Sequence, residues 1–391
     1  MRVGDIQRYL RDHQLDGWLM ADFHGRNDIA VEMLHLRGIM LTRRSFYWIP
    51  SNGEPVALVN PIEAAKFSDV PGKLIRYKGY KGLEENLREM LAGSRRVAME
   101  FSPSGRLPYI GLVDSGTIEL VRSFGVEVVS SADLVAHFQA CLTPEQVAAH
   151  RIAARNIMEI KDAAFAYIAE SLTGGKTITE FDVCRFILDK FAEYDMETDH
   201  GPNCSVDGHA GDPHYEPTAE KSEVIKKGQL ILIDMWAKIT TDHGIYADIT
   251  WMAYAGTRKE FPERYVELFS IVMEARDTAI KYLREHIGQG PVKGADVDDA
   301  CRQVTIKAGY GDHFFHRTGH SIAGNVHGPG PNIDNLETED ARLLQPGHLF
   351  SIEPGLYFDD CGFRSEIDCL ITDEGIEIDT IPLQQEILAL L

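Results

Sequence analysis

The chain has 391 residues, 44% apolar and 25% charged, with 60 acidic against 39 basic side chains and a formal net charge of −21. That length exceeds one ordinary small domain, and the composition is that of a globular protein with two domains. The acidic balance argues against nucleic acid or an anionic membrane as partner, and no apolar run is long enough to span a bilayer.

The first stretch, MRVGDIQRYLRDHQLDG, lacks the apolar core of a signal peptide and reads as a helix over 3–14. Cys141, Cys184, Cys204, Cys301, Cys361 and Cys369 form no CxxC pair, so reduced thiols and a cytoplasmic location are expected. GWLMA (17–21) is a buried strand, and SFYWIP and PVALVN flank Ser51-Asn52-Gly53-Glu54 as a hairpin. Helical PIEAAKF, GLEENLREMLAG and a stretch near 108–123 alternate with strand-like LIRYK, RRVAMEF and VEVVSS. Such alternation predicts an α/β layer on a mostly parallel or mixed sheet. Nothing in 1–140 gathers ligand-forming residues; His24 and Asp28 are isolated loop groups.

A boundary falls at Leu142-Thr143-Pro144, dividing the chain into 1–142 and 143–391. Thr143 caps a long amphipathic helix with Pro144 in its first turn, and Thr179 caps the next. A Gly/Pro/His-rich loop (200–217), a strand hairpin (229–254), a helix over 263–286 and another over 297–308 follow. The last segment alternates in the strand period, and the chain has no tandem short repeat.

The chemistry gathers in the second part. LILID and YADIT each place one acid, Asp234 and Asp248, in an apolar strand-like run. A carboxylate buried there must be paired, hydrogen-bonded or metal-bound. The connection between the two is long enough to turn back, so they can meet across an antiparallel pair. HRTGH holds His316 and His320 at a spacing that shares a face in helix or strand, and His327 lies seven residues on. No Glu follows His316, which excludes the HExxH arrangement. Glu353 ends HLFSIE before Pro354-Gly355, and GFRSEID places Arg364, Glu366 and Asp368 on one strand face, where Arg364 can orient Glu366. Two Asp, one His and two Glu suit a pair of divalent ions, and four carboxylates balance their charge.

The order Asp, Asp, His, Glu, Glu in the contexts ID, ADIT, GH, EPGLY and RSE resembles the pita-bread metallopeptidases, which include methionine aminopeptidase, aminopeptidase P and prolidase. The resemblance is strong over 143–391, and 1–140 is similar to the creatinase-type N-terminal domain of the proline-specific branch. It implies an α/β (α+β) fold with a pita-bread catalytic domain, and two ions (Mn, Co, Zn or Fe) on Asp234, Asp248, His320, Glu353 and Glu366. It further implies Glu353 as proton shuttle, His214, His316 and His327 as substrate-contacting histidines, Arg364 beside the last glutamate, and a homodimer.

The implied activity is hydrolysis of an Xaa-Pro peptide. Rival readings are a creatinase- or ectoine-hydrolase-like enzyme acting on a small non-peptide amide, and a non-catalytic binding relative. Departures from the family pattern are the long Asp234–Asp248 connection with Asp242 and His243, Trp251 after DIT, and Gly328 after His327. Prolidases carry an arginine before the LxPG turn that grips the dipeptide carboxylate. Here that position is Glu339 or Asp340, with Arg342 displaced, which predicts poor hydrolysis of free dipeptides.

Overall fold

The computed structural model describes residues 2–391 and forms two compact units, the first running to Gln139 and the second from Ala140 to Leu391. The first unit runs α1 (Val3–Asp12), β1 (Gly17–Asp22), α2 (Asp28–Met33), β2 (Ser45–Pro50), β3 (Val56–Val59), β4 (Lys73–Arg76), α3 (Gly79–Met90), β5 (Arg96–Met99), α4 (Ser115–Arg122), β6 (Glu127–Ser130) and α5 (Ala132–Gln139). Its six strands lie in the order β4-β3-β2-β1-β5-β6. The β1–β2 and β2–β3 pairs are antiparallel and the rest parallel, giving the mixed sheet expected from the alternation.

Successive residues of β1 enter different cores: Trp18 and Met20 join one cluster, Leu19 and Ala21 the other. Both sheet faces are therefore covered, which the period-2 strand geometry requires of a run this apolar. PIEAAKF forms only a single 3-10 turn, Ala64–Phe67, and α2 and α5 went unread in the sequence. His24 adopts a positive φ of 66° two residues before Arg26, and Asp28 opens α2 behind the N-cap Asn27.

The second unit opens with α6 (Pro144–Thr173) and α7 (Glu180–Glu193). Thr143 and Gln146 form a capping box on α6, and Thr179 and Asp182 one on α7, as the helix-start signals predict. Short β7 (Met196–Glu197) and β8 (Asn203–Val206) precede the long hairpin β9 (Leu230–Ile239) and β10 (Ala247–Tyr254). Then come α8 (Glu263–His286) and α9 (Gly294–Lys307). The latter starts earlier than the sequence suggested, because Asp296 accepts the Lys293 N–H at 3.0 Å from inside the first turn. The chain ends with β11 (Ser321–Ile322), β12 (Leu349–Ile352), β13 (Gly355–Tyr357), β14 (Gly362–Arg364), β15 (Ile367–Thr372), β16 (Gly375–Ile378) and β17 (Leu388–Ala389). One sheet runs β17-β10-β9-β7 with β8 also on β9, a second runs β11-β12-β15-β16, and β13 pairs with β14. Among the described residues no helix is long and apolar enough to cross a membrane.

The β9–β10 hairpin divides its two faces cleanly. Ile231, Ile233, Met235 and Ala237 of β9, with Ala247, Ile249, Trp251 and Ala253 of β10, pack in one core with the α6 stripe Ala153, Ile157, Ile160, Ala164 and Ile168. The even-numbered residues point the other way. Leu230, Leu232, Met252 and Tyr254 enter the core that holds Phe269, Phe350 and Phe363. Asp234, Asp248 and Thr250 share this second face, because Asp234 pairs with Thr250 and Asp248 with Trp236. Trp251, unusual for the resemblance, is 6% exposed on the first face, with the Lys161 ammonium 3.7 Å from its ring centroid.

Candidate metal centre

Five side chains from four segments line one cavity of about 660 Å³: Asp234, Asp248, His320, Glu353 and Glu366. Their positions follow from the strands that carry them. The register above places both aspartates on one face of the hairpin, and β15 is tied to that face from its own side. The Glu366 N–H donates to the Thr250 carbonyl at 3.2 Å, and Asp368 Oδ2 accepts the Asp248 N–H at 3.0 Å. The Thr250 hydroxyl then donates to Glu366 Oε2 at 2.7 Å.

His320 arrives from the neighbouring sheet. Its N–H donates to Ser351 Oγ at 3.0 Å, and Ser351 N–H returns to the His320 carbonyl at 2.9 Å. Gly319 makes this approach possible, since a Cβ there would sit 1.9 Å from the Ser351 carbonyl oxygen. His320 Nδ1 lies 3.2 Å from the Ser321 carbonyl, a contact that requires an N–H at Nδ1. Nε2 is then left as a lone pair, facing Asp248 Oδ2 at 3.5 Å and Glu353 Oε1 at 3.6 Å. Glu353 follows the end of β12; its N–H donates to the Thr318 carbonyl at 2.7 Å, and its Oε1 accepts Ser351 Oγ–H at 3.2 Å.

Three of the five, Asp248, His320 and Glu366, are nearly fully buried, and each presents a ligand atom within 4.8 Å of the others. Asp248 Oδ1 has no hydrogen-bond partner. Burial, and then the Asp234 charge, hold the Asp248 carboxyl well above the usual range. Burial, then Asp248 and Glu353, do the same to Glu366. Burial raises Glu353 also, against His320 and Arg364, which pull it down. Burial lowers His320 and keeps its ring neutral. Clustered carboxylates with an orphaned oxygen and an imidazole lone pair are the electrostatic signature of a cation site, and the oxygen-rich, single-imidazole set suits a divalent ion.

Arg364 does not hold Glu366. Its Nη2 ion-pairs with Asp234, its Nε donates to Thr250 Oγ1 at 2.9 Å, and its Nη1 to the Tyr357 hydroxyl at 3.2 Å. β14 ends at Arg364 and β15 begins at Ile367, so no continuous strand places Arg364, Glu366 and Asp368 in one row. Asp368 turns into the protein and is fully buried.

His316 also lines the cavity, but both ring nitrogens are engaged: Nδ1 with the Arg317 carbonyl at 2.7 Å and Nε2 with the Tyr357 hydroxyl at 2.7 Å. Burial first, then Arg364, push it down to about 3. It thus steadies Tyr357, which in turn contacts Arg364. His327 and His214 line the cavity with exposed side chains. The His327 ring stands edge-on to His320, centroids 4.4 Å apart at 84°. A Cβ at Gly328, which follows it, would meet Ser321 Oγ at 2.8 Å, so a larger residue there would have to displace that hydroxyl. Asp242 and His243 of the long connection are not among the lining residues.

Sequence reasoning missed Asp199, His200, Trp236, Phe315, Arg317 and Glu337, which also line the wall. Arg317 alone had a signal, its place inside HRTGH. Arg342 and Asp340 turn away from substrate space. Both are buried, with Arg342 Nε and Nη2 on Asp340 at 2.9 and 2.6 Å and Nη1 on the Pro329 carbonyl at 2.8 Å. The acid expected to repel a substrate carboxylate is therefore neutralised inside the fold.

Known proteins share the fold and the family of this chain. An uncharacterized peptidase of Staphylococcus aureus is 26% identical over 263 residues, 66% of this chain and 68% of the relative. The dipeptidase PepE of Mycobacterium ulcerans is 20% identical and shares the fold at a TM-score of 0.74, over 100% of this chain and 97% of that one. An X-prolyl aminopeptidase of Caenorhabditis elegans, described as a cytosolic enzyme with a di-nuclear active site, is 17% identical at a TM-score of 0.66, over 98% of this chain and 62% of that one. The model of metallopeptidase family M24 matches residues 153–373, a span that contains Asp234, Asp248, His320, Glu353 and Glu366. Divalent metal is accordingly the cofactor, and the chain belongs to metallopeptidase family M24.

Proposed function

We propose that the chain hydrolyses the amide bond of short Xaa-Pro peptides, using two divalent ions held by Asp234, Asp248, His320, Glu353 and Glu366. The observation that carries this reading is the buried convergence of Asp248, His320 and Glu366 donor atoms beside an unpartnered Asp248 oxygen. When bound, such ions make a water nucleophile available at neutral pH and polarise the scissile carbonyl.

The chain's own groups supply the rest. Glu353, half-buried and with a raised pKa, takes a proton from the attacking water and returns it to the leaving nitrogen. His327 reaches the substrate carbonyl oxygen as charge builds on it. His214 borders the bound peptide from the 207–217 loop. Arg364 fixes the orientation of Asp234, and His316 acts through Tyr357 rather than on substrate.

The test is turnover by metal-stripped protein reconstituted with Mn, Co, Zn or Fe, against Gly-Pro, Xaa-Pro-Yaa and a small cyclic amide. Turnover of an Xaa-Pro peptide, lost on chelation and restored by metal, is expected. Undiminished activity in chelated protein, or turnover of the non-peptide amide alone, rejects the reading. A cytoplasmic homodimer belongs to the same reading, and light scattering of dilute protein checks its subunit number.

A further inference from the structure

One wall of the cavity has no part in the reaction described above, and it is built on Trp236. In the β9–β10 register Trp236 lies directly opposite Asp248, and it follows Asp234 by two residues. The indole therefore shares the hairpin face that carries both aspartates. It is half-buried and packs on the cluster that holds Tyr246, Ile322 and Val326, of which Val326 also lines the cavity. The indole N–H donates to Asp199 Oδ1 at 3.0 Å, which anchors the ring by its polar edge.

Asp199 is a held anion. Its Oδ1 also accepts the His200 backbone N–H at 3.0 Å, and its Oδ2 lies 3.5 Å from His200 Nδ1. Burial pushes its pKa up, but the Trp236 hydrogen bond, the backbone and His200 together pull it below the ordinary value. The charge is felt next door: burial first, then Asp199, push the Tyr246 phenol up to about 12. An indole and a backbone amide orient a carboxylate without cancelling its charge. Among the described residues no Lys or Arg is paired with Asp199.

From the hairpin outward, then, the wall offers an aromatic face and, at its exposed end, a fixed negative charge. That pairing recognises an organic cation: the ring quadrupole attracts it, and the carboxylate closes the contact. Position decides which cation of a peptide is meant. The α-ammonium of an Xaa-Pro peptide is two bonds from the scissile carbonyl carbon and stays beside the metal ligands. Asp199 stands a whole indole away from the strand position opposite Asp248, a separation that suits the long stem of a lysine or arginine side chain lying along the ring. The net charge of −21 favours encounter with such a substrate.

We propose that Trp236 and Asp199 form the pocket for a basic side chain on the N-terminal residue of the substrate, so that Lys-Pro and Arg-Pro peptides are preferred over neutral ones of similar size. This rests on the Xaa-Pro reading above and names the substrate class within it. Both are specificity residues, and neither belongs to the metal set.

The experiment compares kcat/KM for lysyl-proline and norleucyl-proline, which differ by the side-chain ammonium, in metal-loaded wild type, Asp199→Asn, Trp236→Leu and Trp236→Phe, with metal content measured in each. The wild type should favour the lysyl peptide by roughly tenfold or more. Asp199→Asn keeps the shape and removes the charge, and should bring the ratio to within about threefold of unity. Trp236→Leu should also lower the ratio, and Trp236→Phe, which restores an aromatic face, should recover part of it. A wild type without preference for lysine, or a preference that survives Asp199→Asn or Trp236→Leu, overturns the proposal. Asp199→Asn, at the exposed end of the wall, decides the matter even where Trp236→Leu fails to fold. Calorimetric binding of lysinamide against norleucinamide to the metal-loaded protein gives a readout independent of turnover. If no Xaa-Pro peptide is hydrolysed, the Xaa-Pro reading fails, while an Asp199-dependent preference for lysinamide still upholds the cation pocket and its absence overturns it.

Discussion

Replacing Asp248 with Asn should have opposite effects on stability in metal-free and metal-loaded protein. Asp248 is 4% exposed, its Oδ1 has no partner, and its Oδ2 faces a neutral His320 nitrogen at 3.5 Å. Among the described residues no cation is paired with it; Arg364 ion-pairs with Asp234. An unpaired buried charge costs several kcal/mol, part of which is relieved by protonation. Removing the charge while keeping the shape should therefore stabilise the metal-free protein at neutral pH by about 1–3 kcal/mol. At about 2–4 °C per kcal/mol for a domain of this size, Tm should rise by roughly 2–12 °C.

The pH dependence follows from the direction of the shift. A carboxyl whose pKa is raised by folding binds its proton more tightly in the folded state, so its destabilising effect is absent below the ordinary value of 3.8 and grows as pH rises toward the folded value. The gap between variant and wild type should thus be small near pH 4 and widen upward. With metal present the sign inverts. Ligand at a hundredfold excess over Kd stabilises the wild type by about 2.7 kcal/mol, and an amide oxygen in place of the carboxylate forfeits most of that. Calorimetric melting of chelated and metal-loaded protein across this pH range reads both signs. An Asn variant that is less stable than the wild type without metal, or that keeps the full metal-induced rise in Tm, would refute the reasoning.

His327→Ala should retain near-normal metal content and lose turnover by about 100–1000-fold, the usual loss for an oxyanion donor; loss of metal in elemental analysis would exchange the roles of His320 and His327. Glu180→Gln should raise KM with little change in kcat. Its fully buried carboxylate accepts Val206 N–H (2.8 Å), His209 Nδ1–H (2.9 Å), the Tyr215 hydroxyl (2.6 Å) and Glu223 N–H (2.8 Å), which fixes the loop bearing His214; a kcat effect alone would show that the loop does not bind substrate. Arg342→Ala should destabilise the fold by about 3–5 kcal/mol in denaturant titration, because it leaves the fully buried Asp340 unpaired, and should not alter the preference between acid and amide substrates.

What the sequence disclosed and what it withheld divide along a physical line. Thr143, Thr179 and the hairpin aspartates were legible because their signals are local. A cap needs only its own first turn, and an acid in an apolar strand announces a buried charge wherever the strand goes. The partner of Arg364 was not legible. The local period pointed to Glu366 two residues away, yet the chain breaks its strand between them and the guanidinium crosses to Asp234 on β9, a choice made by how β14 passes the hairpin. Asp340 and Arg342 show the same limit. As letters they were an acid and a base near a recognition position, but adjacent opposite charges can satisfy each other, and here they do so fully buried.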